Sequence, residues 1–470
     1  MMTSHALIDA IGRHLNWLTA HAPWPQTAWA PGVWWSQLEI ATAKPASGER
    51  QPGVSKRCYR LIESPGGSNL YWDGPLMVAV RAAAGRLGEA RWAAAADRYM
   101  RQYLAHGTSD TGLLWWGNHY YLSHDAATPV TFGESAAPVD AAHATAPLHE
   151  TRPLPVAWEL LAEVDREHTL VNLAAQQQHV HAEGPAAGFD RHANGSAQHP
   201  FLEAGAMLVL SQAWRAKLAG APDAIDVADG VLRYSVGQRD PATGLLPVSP
   251  GSNRWDQTQT TSELGLWAGA ALEAAAMCGR SDWREMALDA LAAWCEQAWV
   301  EDRGRFAGRL DIRNGRPIDT PQTTIYQPGH FADPWQPLFP THDYPMPAAE
   351  ACLSAWELTG DGRFETATRR WVDVLGQTLP ARNGLGGYAE HYGRAIHLLW
   401  RAGRTFDDAA LVDLAWAVAV ESLAVLDAGP CLRTHPWEDR VEAVDGAGWL
   451  LLAWLTLVDD EQPPMLGLIW

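Results

Sequence analysis

The sequence predicts an all-α fold, an (α/α) toroid built from paired antiparallel helices, with seven hairpins and hence an (α/α)7 barrel. Apolar residues recur at three- and four-residue spacing through many Ala- and Leu-rich blocks, while strand-like alternation is rare and short. Neighbouring blocks are joined by short polar turns, such as Gly88 or Thr359-Gly360-Asp361-Gly362, which fold one helix back along the last. Three connections, residues 21–68, 107–151 and 300–345, are far longer than a turn needs and are rich in Trp, Tyr, His, Gly or Pro. Loops of that size within a domain usually carry function, and they favour a closed toroid over an open solenoid.

In chain order the periodicity predicts helices over 4–20, 70–87, 89–106, 154–164, 165–181, 200–219, 222–237, 262–278, 281–298, 346–359, 361–379, 388–401, 407–426 and 443–458. No low-complexity linker separates them, so residues 1–470 read as one catalytic domain. The first block mixes Asp9, Arg13 and His14 into its apolar residues, unlike a signal peptide. No other segment is expected to reach the roughly 18 apolar residues that cross a bilayer. The chain therefore reads as cytoplasmic with no membrane partner, or as periplasmic if a leader has been removed.

Hydrophobic residues make up 47% and charged residues 19% of the 470, the balance of a globular protein. Lys and Arg total 35 against 54 Asp and Glu, a net charge of −19 that argues against a nucleic-acid partner. The same charge would repel an acidic glycan, so a uronate substrate requires a local metal or arginine cluster. The five cysteines form no CxxC pair, and Cys278, Cys295 and Cys352 lie in apolar helical stretches, which argues against a disulfide framework or a thiolate zinc site. The 25 Trp outnumber the 11 Tyr and 8 Phe together. Trp72, Trp92, Trp267, Trp294, Trp416 and Trp454 fall in helices and read as core. Trp24, Trp34, Trp35, Trp115, Trp116, Trp255, Trp335 and Trp437 fall in connections, where an indole face can stack on a sugar.

Polar chemistry is densest in Trp115-Trp116-Gly117-Asn118-His119-Tyr120-Tyr121, His149-Glu150-Thr151-Arg152-Pro153 and Gly188-Phe189-Asp190-Arg191-His192-Ala193-Asn194. Two imidazoles and a carboxylate, from His119, Glu150 and His192, suit a divalent transition metal (Mn, Fe, Co, Ni or Zn) better than Ca or Mg. The spacing is not diagnostic, and cleft-lining or capping roles account for the same residues. In the third long connection, Thr323-Thr324-Ile325-Tyr326-Gln327-Pro328-Gly329-His330 and Thr341-His342-Asp343-Tyr344 read either as a packed loop or as sugar contacts through Tyr326, His330, His342 and Tyr344. Tyr388-Ala389-Glu390-His391-Tyr392-Gly393-Arg394 opens a helix, with Glu390 and Arg394 placed to pair at i,i+4 and His391 and Tyr392 as cleft candidates.

At the Gly-x-His, His-Glu and Arg-His blocks the chain resembles the toroidal pectate lyases of polysaccharide lyase family 2 and related bacterial uronate lyases. The resemblance spans mainly residues 68–194, with weaker likeness in 388–394 and 445–452. It implies an (α/α)7 barrel with His119, Glu150 and His192 holding the metal, Mn first, and Arg191 taking the proton. It also implies β-elimination on a pectate-like uronate glycan, an acidic oligo- or polysaccharide, to leave an unsaturated end. The metal would stabilise charge on the uronate carboxylate as the C5 proton leaves. An arginine is protonated at ordinary pH, so Arg191 as a carboxylate clamp with Tyr120, Tyr121, His149 or a later Tyr or His as base is the competing assignment. Arg152 and Trp116 complete the expected substrate contacts. The departure from the family is a long insertion, residues 125–148, between the first two ligand blocks. Two further readings fit the same fold. One is a glycoside hydrolase drawing on Asp73, Asp256, Glu263, Asp343 or Glu390, or a sugar epimerase using a His pair. The other is a noncatalytic carbohydrate-binding toroid.

Overall fold

The computed structural model describes residues 2–46, 66–117, 120–131, 155–181, 188–191, 193, 200–251, 255–318, 331–335, 345–380, 386–443 and 446–470. Fourteen α-helices occur among the described residues: α1 (Met2–His21), α2 (Leu70–Leu87), α3 (Ala90–Gly107), α4 (Trp158–Val164), α5 (Arg166–Ala175), α6 (Leu202–Ala219), α7 (Pro222–Gly237), α8 (Thr261–Cys278), α9 (Ser281–Gln297), α10 (Met346–Thr359), α11 (Gly362–Gln377), α12 (Ala389–Thr405), α13 (Ala409–Leu426) and α14 (Gly448–Asp459). The even-numbered helices α2, α6, α8, α10, α12 and α14 are buried over most of their surface, whereas α3, α7, α9 and α11 bury a stripe and show the opposite side to water. The even helices form the inner wall. Neighbours α6 and α8, α8 and α10, α10 and α12, and α12 and α14 pack in sequence, and α14 returns to α2. The short α4 fills the place between α2 and α6: it packs on α6, and its Trp158 reaches Tyr71 of α2 through Trp116. Helix α1 packs on α3, α13 and α14, so the two ends of the chain supply the seventh pair. The toroid is the predicted fold class.

The first six inner helices each turn into their outer partner within one to three residues, at 88–89, 165, 220–221, 279–280, 360–361 and 406–408. Gly88 and Gly360 make such reversals by adopting φ of 73° and 67°, a left-handed conformation that is strained for other residues. Asp165, Asp361 and Asp408 then cap the outer helices, each accepting a hydrogen bond from a backbone N–H of the first turn. Every return connection, from outer to inner helix, is longer: 22–69, 108–157, 176–201, 238–260, 298–345, 378–388 and 427–447. Tight hairpins make all inner helices run one way, so these long segments gather at the end where inner helices start.

That end is rimmed by short antiparallel strands: β1 (Gln37–Glu39), β2 (Lys44–Pro45), β3 (Gly67–Ser68), β4 (Tyr120–Ser123), β5 (Thr128–Thr131), β6 (Val180–His181), β7 (Gly188–Phe189), β8 (Thr258–Thr260), β9 (Trp299–Val300), β10 (Arg305–Phe306), β11 (Arg309–Asp311) and β12 (Arg440–Glu442). They pair as β2-β1-β12, β3-β4-β5, β6-β7, β8-β11 and β9-β10. The β1–β12 pairing, with Leu38 opposite Val441, ties the first long connection to the last and closes the rim.

Three expectations need correction. The helix predicted over 165–181 stops at Ala175, where the chain tightens into a 3-10 turn at Gln176–His179 and then pairs as β6. The indoles placed in connections as stacking candidates are mostly buried: Trp24, Trp34, Trp115, Trp116, Trp255 and Trp335 lie in the interior, and of the eight only Trp437 is an exposed large hydrophobic. The long connections pack into a layer of their own, in which Trp34 stacks on Tyr99 at 5.7 Å and Trp24 leans on Trp35 at 5.2 Å. One further segment does reach bilayer length by composition, α13, although it carries Asp413 and Glu421 and packs on α1, α12 and α14 as an outer helix.

At the far end of the chain, Gln462 Oε1 accepts from His397 Nε2 at 3.0 Å, and the Leu466 carbonyl accepts from Leu160 N at 3.1 Å. Trp470 stacks on His397 with centroids 3.8 Å apart and touches Trp449 at 4.7 Å. Residues 462–470 thus touch α4, α12 and α14 of the inner wall.

Inner helices meet at glycine seams. A Cβ on Gly265 of α8 would lie 2.2 Å from Ala348 N of α10, one on Gly393 of α12 2.4 Å from Leu450 N of α14, and one on Gly448 of α14 2.4 Å from Leu76 N of α2. Backbone cannot yield as a side chain can. Gly393→Ala should therefore lower the unfolding free energy by about 1–3 kcal/mol or more, whereas Gly269→Ala, whose added methyl meets nothing within 4 Å, should be neutral or stabilising. Chemical denaturation of both variants checks this, and equal midpoints would refute the seam.

Candidate functional site

Buried acids stand at the start of five inner helices: Asp73 in α2, Glu203 in α6, Glu263 in α8, Glu350 in α10 and Glu390 in α12. The positive end of each helix dipole favours an acid there, and the charge must still be compensated. Asp73 Oδ2 accepts from Ser36 Oγ at 3.2 Å and Tyr99 OH at 2.7 Å, while Ser36 Oγ accepts from Asn69 N at 2.8 Å. Loss of hydration outweighs those hydrogen bonds and pushes the Asp73 carboxyl up to about 7. Glu263 Oε2 accepts from Glu203 N at 3.2 Å, joining the starts of α8 and α6.

Arg394 binds two acids. Its Nη1 donates to Glu350 at 2.9 and 3.1 Å, its Nε to Glu390 Oε1 at 3.1 Å, and its guanidinium lies 4.2 Å from the Trp449 ring centre. The i,i+4 pair expected from the sequence is present, and a third partner joins it from α10. Burial pushes the Glu350 carboxyl up, partly opposed by Arg394. These acids tie neighbouring wall elements together, and none of those contacts sets two carboxyls facing across a cleft.

Beside this triad lies a histidine and aromatic cluster at the mouth. Tyr388, at the start of α12, has His391 on one side, with ring centres 5.3 Å apart, and His435 on the other, at 4.7 Å. His391 Nδ1 lies 3.1 Å from the Trp335 carbonyl, which can only accept, so Nδ1 carries the proton and Nε2 the lone pair. His435 Nδ1 accepts from Trp437 N at 3.3 Å, so the neutral ring carries its proton on Nε2. Gly386 makes room for His435: a Cβ there would be 2.3 Å from the ring. Trp335 donates its indole N–H to Thr378 Oγ1 at 3.0 Å, which fixes the carbonyl that orients His391. The two imidazoles share one aromatic platform in opposite tautomers.

His391 was foreseen as a cleft residue. His435 was not, although Thr434-His435-Pro436-Trp437 in a long return connection carries the same His and Trp signal that marked the other loops. Tyr120 is buried on β4 against Trp115 at 4.7 Å, and its carbonyl accepts from Asn69 Nδ2 at 2.9 Å. Trp116 is buried between Tyr71 at 5.4 Å and Trp158 at 5.9 Å. The Arg191 guanidinium lies 4.4 Å from the Phe201 ring centre. His119, His149, Glu150, Arg152, His192, Tyr326, His330, His342 and Tyr344 lie outside the described residues. No cluster of three or more His, Cys, Asp or Glu side chains suited to a metal occurs among the described residues, which do not include the three expected ligands.

No family model matches the chain, and no curated protein matches it in sequence. Among solved structures, a D-mannose isomerase superimposes with a TM-score of 0.51 over 97% of each chain at 10% identity. A cellobiose 2-epimerase from Bacillus thermoamylovorans B4167 gives 0.49 at 9% identity, covering 96% of this chain and 99% of the other. An inactive α-1,6-mannanase variant of Salegentibacter sp. HEL1_6, in complex with α-1,6-mannotriose, gives 0.48 at 9% identity, covering 96% and 99%. The similarity to the D-mannose isomerase, at 10% identity, shows the shared α/α toroid fold alone.

Asp73 generates a pH test. With its carboxyl raised from 3.8 to about 7, the native state keeps a proton that the unfolded chain has lost, so this group makes stability fall as pH rises from about 4 to about 7. Asp73→Asn lacks that titration. Its stability relative to the parent should improve across the interval by up to about 4 kcal/mol, at about 1.4 kcal/mol per pKa unit, and level off above it. Urea titrations at several pH values read this directly, and a constant difference would contradict it.

Proposed function

We propose that the protein is a sugar isomerase or epimerase that moves a proton at the carbon next to a sugar carbonyl, with His391 and His435 as the base and acid. The observation that carries this reading is their complementary protonation on either side of Tyr388. Similarity to the fold of a D-mannose isomerase is compatible with it. In the forward step the His391 Nε2 lone pair takes the C2 proton of an open-chain aldose. The C2–H electron pair forms the enediol double bond, and His435 Nε2–H protonates the former carbonyl oxygen. Protonation of C1 by His391, with the O2 hydroxyl giving its proton back to His435 Nε2 as the C2=O bond forms, yields a ketose; protonation of C2 on the opposite face, with the O1 hydroxyl returning its proton to His435 Nε2, yields the epimer. A positioned acid and base typically contribute 10²–10⁴-fold each to such steps.

A hydrolase finds less support, because Asp73, Glu263 and Glu390 are engaged in holding the inner wall together. The lyase expectation depends on His119, Glu150 and His192, where a divalent metal would stabilise the carbanion formed at a uronate C5. Both chemistries begin by removing a proton beside a carbonyl or carboxyl carbon, and they part at substrate charge.

Incubation of the protein with D-mannose, D-glucose, D-fructose and cellobiose in deuterated water, followed by proton NMR, should show deuterium at C2 and an interconverted sugar. No exchange with any of them, together with a chelator-sensitive ultraviolet signal on polygalacturonate, would replace this reading with the lyase. His391→Gln and His435→Gln should each reduce exchange by about 10²-fold or more while leaving the melting midpoint close to that of the parent. A variant with full exchange would remove that histidine from the mechanism.

A further inference from the structure

A recess opens in the inner wall between α2, α4 and α6, on the side of Tyr71, Trp116 and Trp158, with Gln176 above it and Met207 and Ser211 below. It runs down to Ser211, about 13 Å along α6 from its first residue, and has room for about one water-sized group. All its lining residues are uncharged.

Gln176 is set toward this space with one atom unused. Asn172 Nδ2 donates to the Gly112 carbonyl at 3.1 Å, which makes Asn172 Oδ1 the acceptor facing Gln176. Gln176 Nε2 donates to that oxygen at 3.2 Å, so its own Oε1 is the remaining end of the amide. Gln176 is only 3% exposed, and Oε1 is buried with no hydrogen-bond partner. A buried carbonyl oxygen without a donor is rare in folded proteins and marks a place where a donor binds. Ser211 Oγ already donates to the Leu208 carbonyl, so it too meets a newcomer as an acceptor.

We propose that this recess is a specificity subsite that receives the hydroxymethyl group of a neutral hexose. The CH2 rests at the entrance against the aromatic lining, and the hydroxyl, the one water-sized group the recess has room for, donates to Gln176 Oε1. A uronate, which carries a carboxylate at the same carbon, would bring negative charge against two acceptors with no cation to offset it. A pentose, which lacks the carbon, would leave Oε1 unpartnered. The subsite rests on the sugar-enzyme reading and narrows its substrate to neutral hexoses.

Calorimetric titration of the full-length protein with D-glucose, D-xylose and D-glucuronate, and in parallel with D-mannose, D-lyxose and D-mannuronate, tests this without turnover. At least one hexose should bind tenfold or more tightly than its pentose and its uronate, a preference of the size expected when a buried acceptor is left unpaired. Gln176→Leu should remove that preference by weakening the hexose alone. Ser211→Leu, which fills the recess from α6, should do the same, and melting midpoints confirm that both variants are folded. Hexose and pentose binding equally, an unchanged preference in both folded variants, or the absence of hexose binding would overturn the subsite. Because binding is read directly, a hexose preference with no proton exchange would refute the isomerase step and leave the subsite standing.

Discussion

Backbone meeting backbone at the start of the inner helices is the constraint on which the structure depends. At Gly265, Gly393 and Gly448 the distance to the next helix leaves no space for a side chain. Those seams draw the inner wall together at the end where long connections arrive, and they explain why charge there must be handled locally. With helices so close, Glu350, Arg394 and Glu390 are almost wholly removed from water, and their pairing has to be complete.

The same closeness engages the buried acids in holding the wall. Asp73, Glu263 and Glu350 each take hydrogen bonds from a neighbouring element, and Glu390 takes one from Arg394 of its own helix, the residue that also binds Glu350. The histidines differ. His391 and His435 are oriented through a backbone carbonyl and a backbone N–H, each using Nδ1 and setting the state of Nε2. A wall that is rigid through its carboxylates can present imidazoles in fixed tautomers, as proton transfer in both directions requires.

Much of the fold is legible in the sequence because its signals are local. Three- and four-residue spacing marks the helices, and glycines such as Gly88 and Gly360 mark the reversals. The rim of strands is not legible, since elements of two to four residues have no measurable period and are set by partners far away, as Leu38 is by Val441. Burial of Trp24, Trp34 and Trp116 was also hidden, because position in a connection says nothing about whether that connection packs on its neighbours. In the site, Glu390 and Arg394 could be paired from their spacing, while Glu350 reaches them from another helix. His391 stood out inside a polar block, but His435 is a single imidazole in a loop, and only folding sets it beside Tyr388.

The strand of chain from Gln462 to Trp470 has a topological consequence. Its contacts join α12 and α14 to α4, a wall helix that lies far earlier in the sequence. The last stretch of the chain thus acts as a cinch: the wall it fastens is laid down by earlier chain and tightened by its tail.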